Sequence, residues 1–467
     1  MNRARAASIS ALTRSAGCGA VVSLAALSLV SEPAAAGSPG SALAATTAST
    51  ATPASSALRY DYEYPLIGYS GAARNNPIAR LQARLDRGEV RLDYGPRSGY
   101  LDSLLRALEI DASSQVLVYS KTSLQIDHIN AATPRAIYFN DDSYVAWVQD
   151  SNVLELSVMD ADLGAVFYTL LNEPDGAVSL SRETSRCLTC HDTYSMMGGG
   201  VPRFLIASTV VDTNGVVLAE QSSRETTDET PLQERWGGWY VSGVPDGEPH
   251  LGNLLIPTGR HLADLHGRLR GTLASLGGLF DTKPYLRDTS DVVALLVLEH
   301  QLFVKNQITR LNFKARTFLA RDAEARAAPV RFATASPQTQ AVIHNMCEQL
   351  LRAMLFADAA TYDRPLTGSS GYDRWFQEQG PWDSRGRSLR ELDLHTRLFK
   401  YPMSYVVYSE AFDALPDYVK QYLYTRLHQI LSGEDHGPAF SRLSAADRAA
   451  VLEILTATKP EFARVSG

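Results

Sequence analysis

The sequence predicts an α+β chain: an antiparallel β-rich region followed by an α-helical C-terminal half. Two observations carry this. Between Val116 and Leu170, short β-branched and aromatic runs alternate with turn residues, as strands require. Beyond Pro257 the apolar residues recur every three or four positions, as helices require.

The elements follow in order. Asn76-Pro77 opens a short helix through Leu81 and Leu85 that Gly88 stops. A second short helix runs from about Tyr100 to Leu108. Strands are expected at 116–119, 136–139, 144–148, 153–158 and 165–170, with Asn140–Asp142 and Asp160–Asp162 as turns. A loop is expected over Arg186–Asp192, with Gly198-Gly199-Gly200 just after it. Phe204–Val211 and Val216–Ala219 read as a hairpin joined through Asn214-Gly215, and Trp236–Ser242 as another strand. Ser290 is the expected N-cap of a long helix from Asp291 to about Phe318. Further helices are expected at Gln338–Ala357, Ser404–Phe412, Asp417–Leu431 and Ala445–Ala457, with a Gly-rich loop around Gly368–Gly386.

Composition sets limits on function. The chain has 467 residues, 45% hydrophobic, enough for a large core. Its net charge of −7 includes no basic run, which argues against nucleic acid as a partner. Arg3, Arg5 and Arg14 precede an apolar stretch from Ala20 to Val30, and Ala34-Ala35-Ala36 fits a small-residue cleavage site. The expectation is a signal peptide over 1–36, cleavage near Ala36, and a periplasmic or otherwise exported product. Removal takes away three arginines and Glu32, so the charge moves from −7 to −9. Residues 37–58 are rich in Ala, Ser, Thr and Pro and read as a flexible linker. No later stretch is apolar enough for a membrane span. Two domains are expected beyond the linker, a β-rich one over 59–257 and a helical one over 258–467.

The chemistry centres on Cys187-Leu188-Thr189-Cys190-His191, the Cys-x-x-Cys-His signal of covalent haem attachment. Each thiol can form a thioether to one porphyrin vinyl group, and the adjacent imidazole then ligates the iron from the proximal side. One haem c is the expected cofactor, held by Cys187, Cys190 and His191. Two other readings use the same residues: a thioredoxin-type disulfide, or half of a zinc site completed by Cys347 and a histidine. Export fits covalent haem, which in bacteria is attached outside the cytoplasm.

Several runs together resemble a family of uncharacterised bacterial proteins named for its cytochrome c-like Cys-x-x-Cys-His motif. They are Pro134–Asp142, Leu163–Leu170, Cys187–His191, Arg235–Val241 and Leu298–Gln301. The resemblance covers about residues 100–460. It implies an exported single-haem protein, without the small all-helical cytochrome c fold.

The motif leaves a distal ligand open. Candidates are His300 on the long helix, then His250 in a turn-rich loop, then Met403 before a helix; Met196 and Met197 lie close in sequence. His300 has Val293, Leu296, Val297, Phe303 and Val304 at helical spacing, so an apolar setting is expected. Arg186 and Arg203, with Arg182, flank the motif and are candidates for propionate contacts. Trp236 and Trp239 read as core, and Cys347 as a buried inert thiol. No hydrolase or Rossmann fingerprint is present. The expected function is haem binding and one-electron transfer with a redox protein or a small-molecule donor or acceptor. The alternatives are a peroxidase- or oxidase-type haem enzyme with an open sixth position, and a non-haem binding protein stabilised by zinc or a disulfide.

Overall fold

Most of the alternating runs meet their neighbours across tight turns, so they build a meander. The computed structural model describes residues 61–174, 178–192, 200–218, 223–245, 247–257, 259–262, 271–435 and 437–466. The expected signal peptide and linker, and Met196 and Met197, lie outside the described residues.

Strands β1 (Val116–Val118), β2 (Arg135–Phe139), β3 (Ser143–Trp147), β4 (Val153–Asp160), β5 (Gly164–Leu171) and β6 (Ser181–Glu183) pair antiparallel in chain order. The turns work by side-chain capping. Asn140 Oδ1 accepts the amides of Asp142 and Ser143, and Asp160 Oδ1 accepts those of Asp162 and Leu163. A separate two-stranded ladder joins β7 (Ala207–Ser208) to β8 (Arg224–Glu225). The expected hairpin after Phe204 reduces to a bridge between Val211 and Val217 around Gly215. The strand expected at Trp236–Ser242 is short, β9 (Trp239–Tyr240), and it pairs antiparallel with β1, closing that edge of a seven-stranded sheet.

Residues paired across antiparallel strands share a face. Tyr138, Val145, Leu156, Tyr168 and Arg182 share one; Tyr144, Ser157, Phe167 and Glu183 share the other. The N-terminal segment, with α1 (Pro77–Asp86) and α2 (Leu101–Ala107), lies against the first face. Tyr69 donates its hydroxyl to the Ala165 carbonyl at 2.8 Å, and Asn76 Nδ2 donates to Tyr168 Oη at 3.2 Å. On the second face lie a one-turn helix, α3 (Leu188–His191), and the long helix α4 (Val292–Arg326).

Helix α4 begins one residue later than expected. Asp291 is its N-cap, accepting the amides of Val293 and Ala294, while its other oxygen accepts those of Ser369 and Ser370. Ser290 instead donates to the Tyr240 carbonyl at 2.6 Å and accepts the Leu117 amide at 2.8 Å, which pins the start of α4 to β9 and β1. The helix crosses towards the β4–β5 turn, where Gly164, at φ +68, admits Thr309: a Cβ there would lie 2.2 Å from Thr309 Cγ2. It also runs past Phe318 to Arg326 through strong helix formers.

The remaining helices are α5 (Pro337–Met354), α6 (Tyr372–Gln377), α7 (Glu410–Asp413), α8 (Asp417–Ser432), α9 (Ala445–Thr458) and α10 (Pro460–Ser466). Helix α6 falls in the stretch expected as a Gly-rich loop. The helix expected at Ser404–Phe412 divides into a 3-10 turn over Tyr405–Tyr408 and α7, because Ser409 is extended and caps α7. Among the described residues of 258–290 there is no α-helix. The described residues form one compact unit with a principal core shared by the sheet and the helices. The cause is α4, which lies on the sheet, so neither half buries its apolar face alone. No described helix is long and apolar enough to cross a membrane.

The middle of α4 is polar and buried. Glu299, fully enclosed, accepts Arg235 Nη1 at 2.8 Å and Trp236 Nε1 at 2.7 Å. Burial pushes its carboxyl up to about 7, against the pull of Arg235 and Trp236. Gln301 bridges Tyr144 and Tyr405, and Lys305 binds the Asp141 carbonyl and the Asp142 carboxylate. Glu299→Gln keeps an acceptor for Trp236 but strips Arg235 of its counter-charge. The expected cost is about 3–5 kcal/mol, read as a lowered urea midpoint at pH 8, since breaking a buried pair strands the remaining charge. An unchanged midpoint would show that the pair does not hold the fold.

Candidate functional site

The segment expected as a loop is a helical turn. The amides of Cys190 and His191 both donate to the Cys187 carbonyl, at 3.2 and 3.0 Å. Residues three and four apart on a helical turn share a side. Cys187, Cys190 and His191 therefore project together, although Cys187 is half-buried against the core and Cys190 is exposed.

His191 is oriented by two groups. Its ring lies 4.5 Å, centroid to centroid, from that of Phe167 on β5. Its Nδ1 sits 2.9 Å from the carbonyl oxygen of Arg203, whose amide in turn donates to the His191 carbonyl. A carbonyl only accepts, so Nδ1 carries the proton and Nε2 carries the lone pair. Nε2 has no hydrogen-bond partner among the described residues. Burial, followed by the nearby Arg135 and Arg203 charges, lowers the imidazole to about 4, so it is neutral at ordinary pH. This is the state a metal-ligating histidine needs, with the second nitrogen held by a carbonyl.

The Arg203 position has a support of its own. Asn306 of α4 accepts the Phe204 amide and donates to the Phe204 carbonyl, both at 2.9 Å, fixing the chain next to Arg203. Neither the carbonyl of Arg203 nor the ring of Phe167 was marked by the motif. Phe167 lies on an alternating strand, which gives its face but not its neighbour, and a main-chain oxygen leaves no trace in sequence.

The thiols bear on the competing readings. No disulfide joins Cys187 to Cys190 in this structure. Burial, with Glu183 and Glu155 adding to it, pushes the Cys187 thiol up to about 12. Reactive thioredoxin-type cysteines are shifted the other way. Cys347 is fully buried on α5 within the core. Among the described residues no three His, Cys, Asp or Glu side chains are grouped to hold a metal ion, as a structural zinc site would require.

The arginines divide. Arg203 is buried and pairs with Glu225 at 2.8 Å. Arg182 points to the opposite sheet face and binds the carbonyls of Tyr69 and Ala72. Arg186 is exposed beside the turn. Trp236 and Trp239 are core residues, as expected.

Among the described residues, no contact brings the distal candidates to the turn. His300 is fully buried, but its setting is not the apolar one expected. Nδ1 is 2.8 Å from Asp228 Oδ2 and Nε2 is 2.8 Å from Ser404 Oγ. Both nitrogens are thus committed, with Phe356 stacked on the ring, and neither is available to iron in this arrangement. The Ser404–His300–Asp228 order resembles an acyl-transfer triad, but Ser404 is fully enclosed and its Oγ also accepts the Val406 amide. It acts as a cap. Met403 is fully buried in the core. His250 is fully buried with its ring edge-on to Trp236, and neither of its nitrogens has a partner among the described residues.

No protein-family model matches this chain, and neither a curated protein nor a solved structure is significantly similar to it.

Two measurements test the geometry. In haem-free protein at pH 7, long-range proton–nitrogen correlation spectra should show His191 protonated on Nδ1 alone; a mainly Nε2-protonated ring would contradict it. Burial lowers His250 to about 3. The unfolded chain therefore takes up that proton first as pH falls, and stability present above about 6.5 is lost as pH falls towards about 3. His250→Leu should flatten this loss in denaturant titrations; an unaltered slope would exclude His250 as a source.

Proposed function

We propose that this chain is an exported monohaem protein of the c type. The observation that carries the reading is the imidazole of His191, neutral, held through Nδ1 by a main-chain carbonyl, with Nε2 bonded to none of the described residues and one residue from Cys190. The donor set fits the group. Cys187 and Cys190 would hold the macrocycle by thioethers, and His191 would be the proximal ligand through Nε2. Bound haem supplies a one-electron ferric–ferrous couple whose potential depends on axial ligation, burial and hydrogen bonding. The chain's own contribution is orientation. The Arg203 carbonyl fixes the tautomer and raises ligand basicity, and Phe167 fixes the ring plane.

Arg186 is better placed than Arg203 for a propionate, since Arg203 already neutralises Glu225. The partner would be a redox protein or a small-molecule electron donor or acceptor. The resemblance to the cytochrome c-like family supports the same class, as does the apolar N-terminus expected to direct export.

One observation favours the enzyme reading over a simple carrier. His300, first among the distal candidates, has both nitrogens engaged, which favours an open sixth position and small-molecule chemistry.

The test is direct. Mature protein made with periplasmic haem-attachment machinery should retain its pigment through acid-acetone extraction, with one haem added by mass. Cys187→Ala with Cys190→Ala should release it. A colourless protein carrying one zinc would defeat the proposal. His300→Ala should leave the iron spin state unchanged while lowering stability by about 2–4 kcal/mol through cavity formation. Conversion from low-spin to high-spin would restore His300 as a ligand. Turnover of hydrogen peroxide by a high-spin ferric protein would select the enzyme reading.

A further inference from the structure

We propose that the part-exposed end of the sheet's second face, beside His191, is the seat of the haem macrocycle, and that Arg135 binds one of its propionates. The inference rests on the monohaem reading for the identity of the ring. It adds where the ring lies and which residue recognises its acid groups.

The strand register lays out the floor. Tyr144, Ser157, Phe167 and Glu183 form one cross-strand row, and the His191 ring rests on Phe167. The next row on the same face is Ile137, Ala146, Glu155, Thr169 and Ser181. Neighbouring strands lie about 4.8 Å apart, so β2 to β5 give this row a breadth of about 14 Å, room for a flat tetrapyrrole.

The two faces differ in cover. On the first, Tyr138, Val145, Leu156 and Tyr168 are each 3% exposed or less. On the second, Tyr144 is buried beneath Gln301 of α4 and the ring of Phe204. Ile137, Glu155 and Thr169 in the next row keep part of their surface, and Ser181 is exposed. His191 therefore stands at the border between the covered and the part-exposed halves of one face. The charges of Arg135 and Glu155 both reach His191, and that of Glu155 reaches Cys187, so the part-exposed row adjoins both ends of the turn. A ring anchored at Cys187 and Cys190 has this row to lie against, because Phe204 and α4 already fill the other half.

Arg135 precedes Ile137 by two positions on β2 and shares its face. Glu155 accepts from Nη1 alone, at 3.2 Å. Nη2, unlike the enclosed Nε, reaches the surface and has no hydrogen-bond partner among the described residues. Glu155 also accepts Ser123 Oγ, at 3.1 and 3.0 Å to its two oxygens, so it is itself fixed and holds Arg135 in place. A guanidinium fixed on one side with a free outer nitrogen suits a second carboxylate. Ser123 also carries Leu124 and Ile126 to this end of the sheet, each 46% exposed. Apolar surface beside one available guanidinium selects a hydrophobic ring that bears acid groups on an edge.

The probe is metal-free protoporphyrin IX, which has both propionates but no iron, titrated by fluorescence into haem-free mature protein with its thiols kept reduced. It should bind saturably at one site, more weakly as salt rises. Its dimethyl ester, the same ring without the charges, should bind about tenfold more weakly or worse, a difference of about 1.4 kcal/mol or more. Arg135→Gln should bring the diacid down to the affinity of the ester and leave the ester unmoved. Ile137→Asp should abolish binding of both with an unchanged thermal melt. The comparison of diacid with ester uses the unmodified chain, so it decides the matter even where a variant fails to fold. Equal affinity for diacid and ester, or binding of neither, would overturn the seat while leaving covalent haem at Cys187 and Cys190 standing. Porphyrin binding that depends on Arg135, in a protein that takes up no covalent haem, would uphold the seat and defeat the c-type reading.

Discussion

A long helix that carries ionic side chains through the interior constrains everything around it. Glu299, His300 and Lys305 are all but enclosed on α4, and each needs a partner because water does not reach it. The partners come from segments far apart in sequence: Arg235 and Trp236 after the two-stranded ladder, Asp141 and Asp142 in the β2–β3 turn, and Asp228 and Ser404 around His300. Buried polar groups of this kind add little net stability over an apolar filling. They do discriminate between packings, because a shift along the helix would leave several of them unsatisfied together.

The same helix reaches the candidate site through a short series of contacts. Asn306 holds Phe204, the residue beside Phe204 is Arg203, and the Arg203 carbonyl holds His191. The imidazole is thereby tied to the rigid centre of the molecule, although it sits on a helix of a single turn. A ligand on so short an element has little stiffness of its own, so its orientation must be borrowed. Phe167, within the sheet, lends the second constraint.

Much of the fold was legible in sequence. The strands between Val116 and Leu170 alternate, and Asn140 and Asp160 cap their turns with their own side chains, so pattern and chemistry agree locally. Helices α1, α5, α8 and α9 were legible for the same reason. The failures share a cause in long-range contacts. Ser290 has the composition of a cap, but its hydroxyl is committed to Tyr240 and Leu117 across the chain, and Asp291 caps instead. A helix periodic by itself need not fold by itself; α4 shares its core with the sheet. His300 has apolar neighbours along the helix, but its nitrogens are met by Asp228 and Ser404 from elsewhere. At the site, the three motif residues were visible from their spacing. The helical turn beneath them and the carbonyl opposite were not, because neither depends on a recognisable side chain.

The hydrogen bond to His191 comes from the main chain of Arg203 and not from its guanidinium. No single amino-acid replacement at position 203 can therefore delete the acceptor, since every residue brings the same carbonyl. The contact can be lost only by rerouting the chain between His191 and Phe204. Imidazole orientation is thus insulated from point mutation at its own contact. Its vulnerability is transferred to Asn306, a residue on another element that never touches the ring and that a survey confined to the motif would pass over.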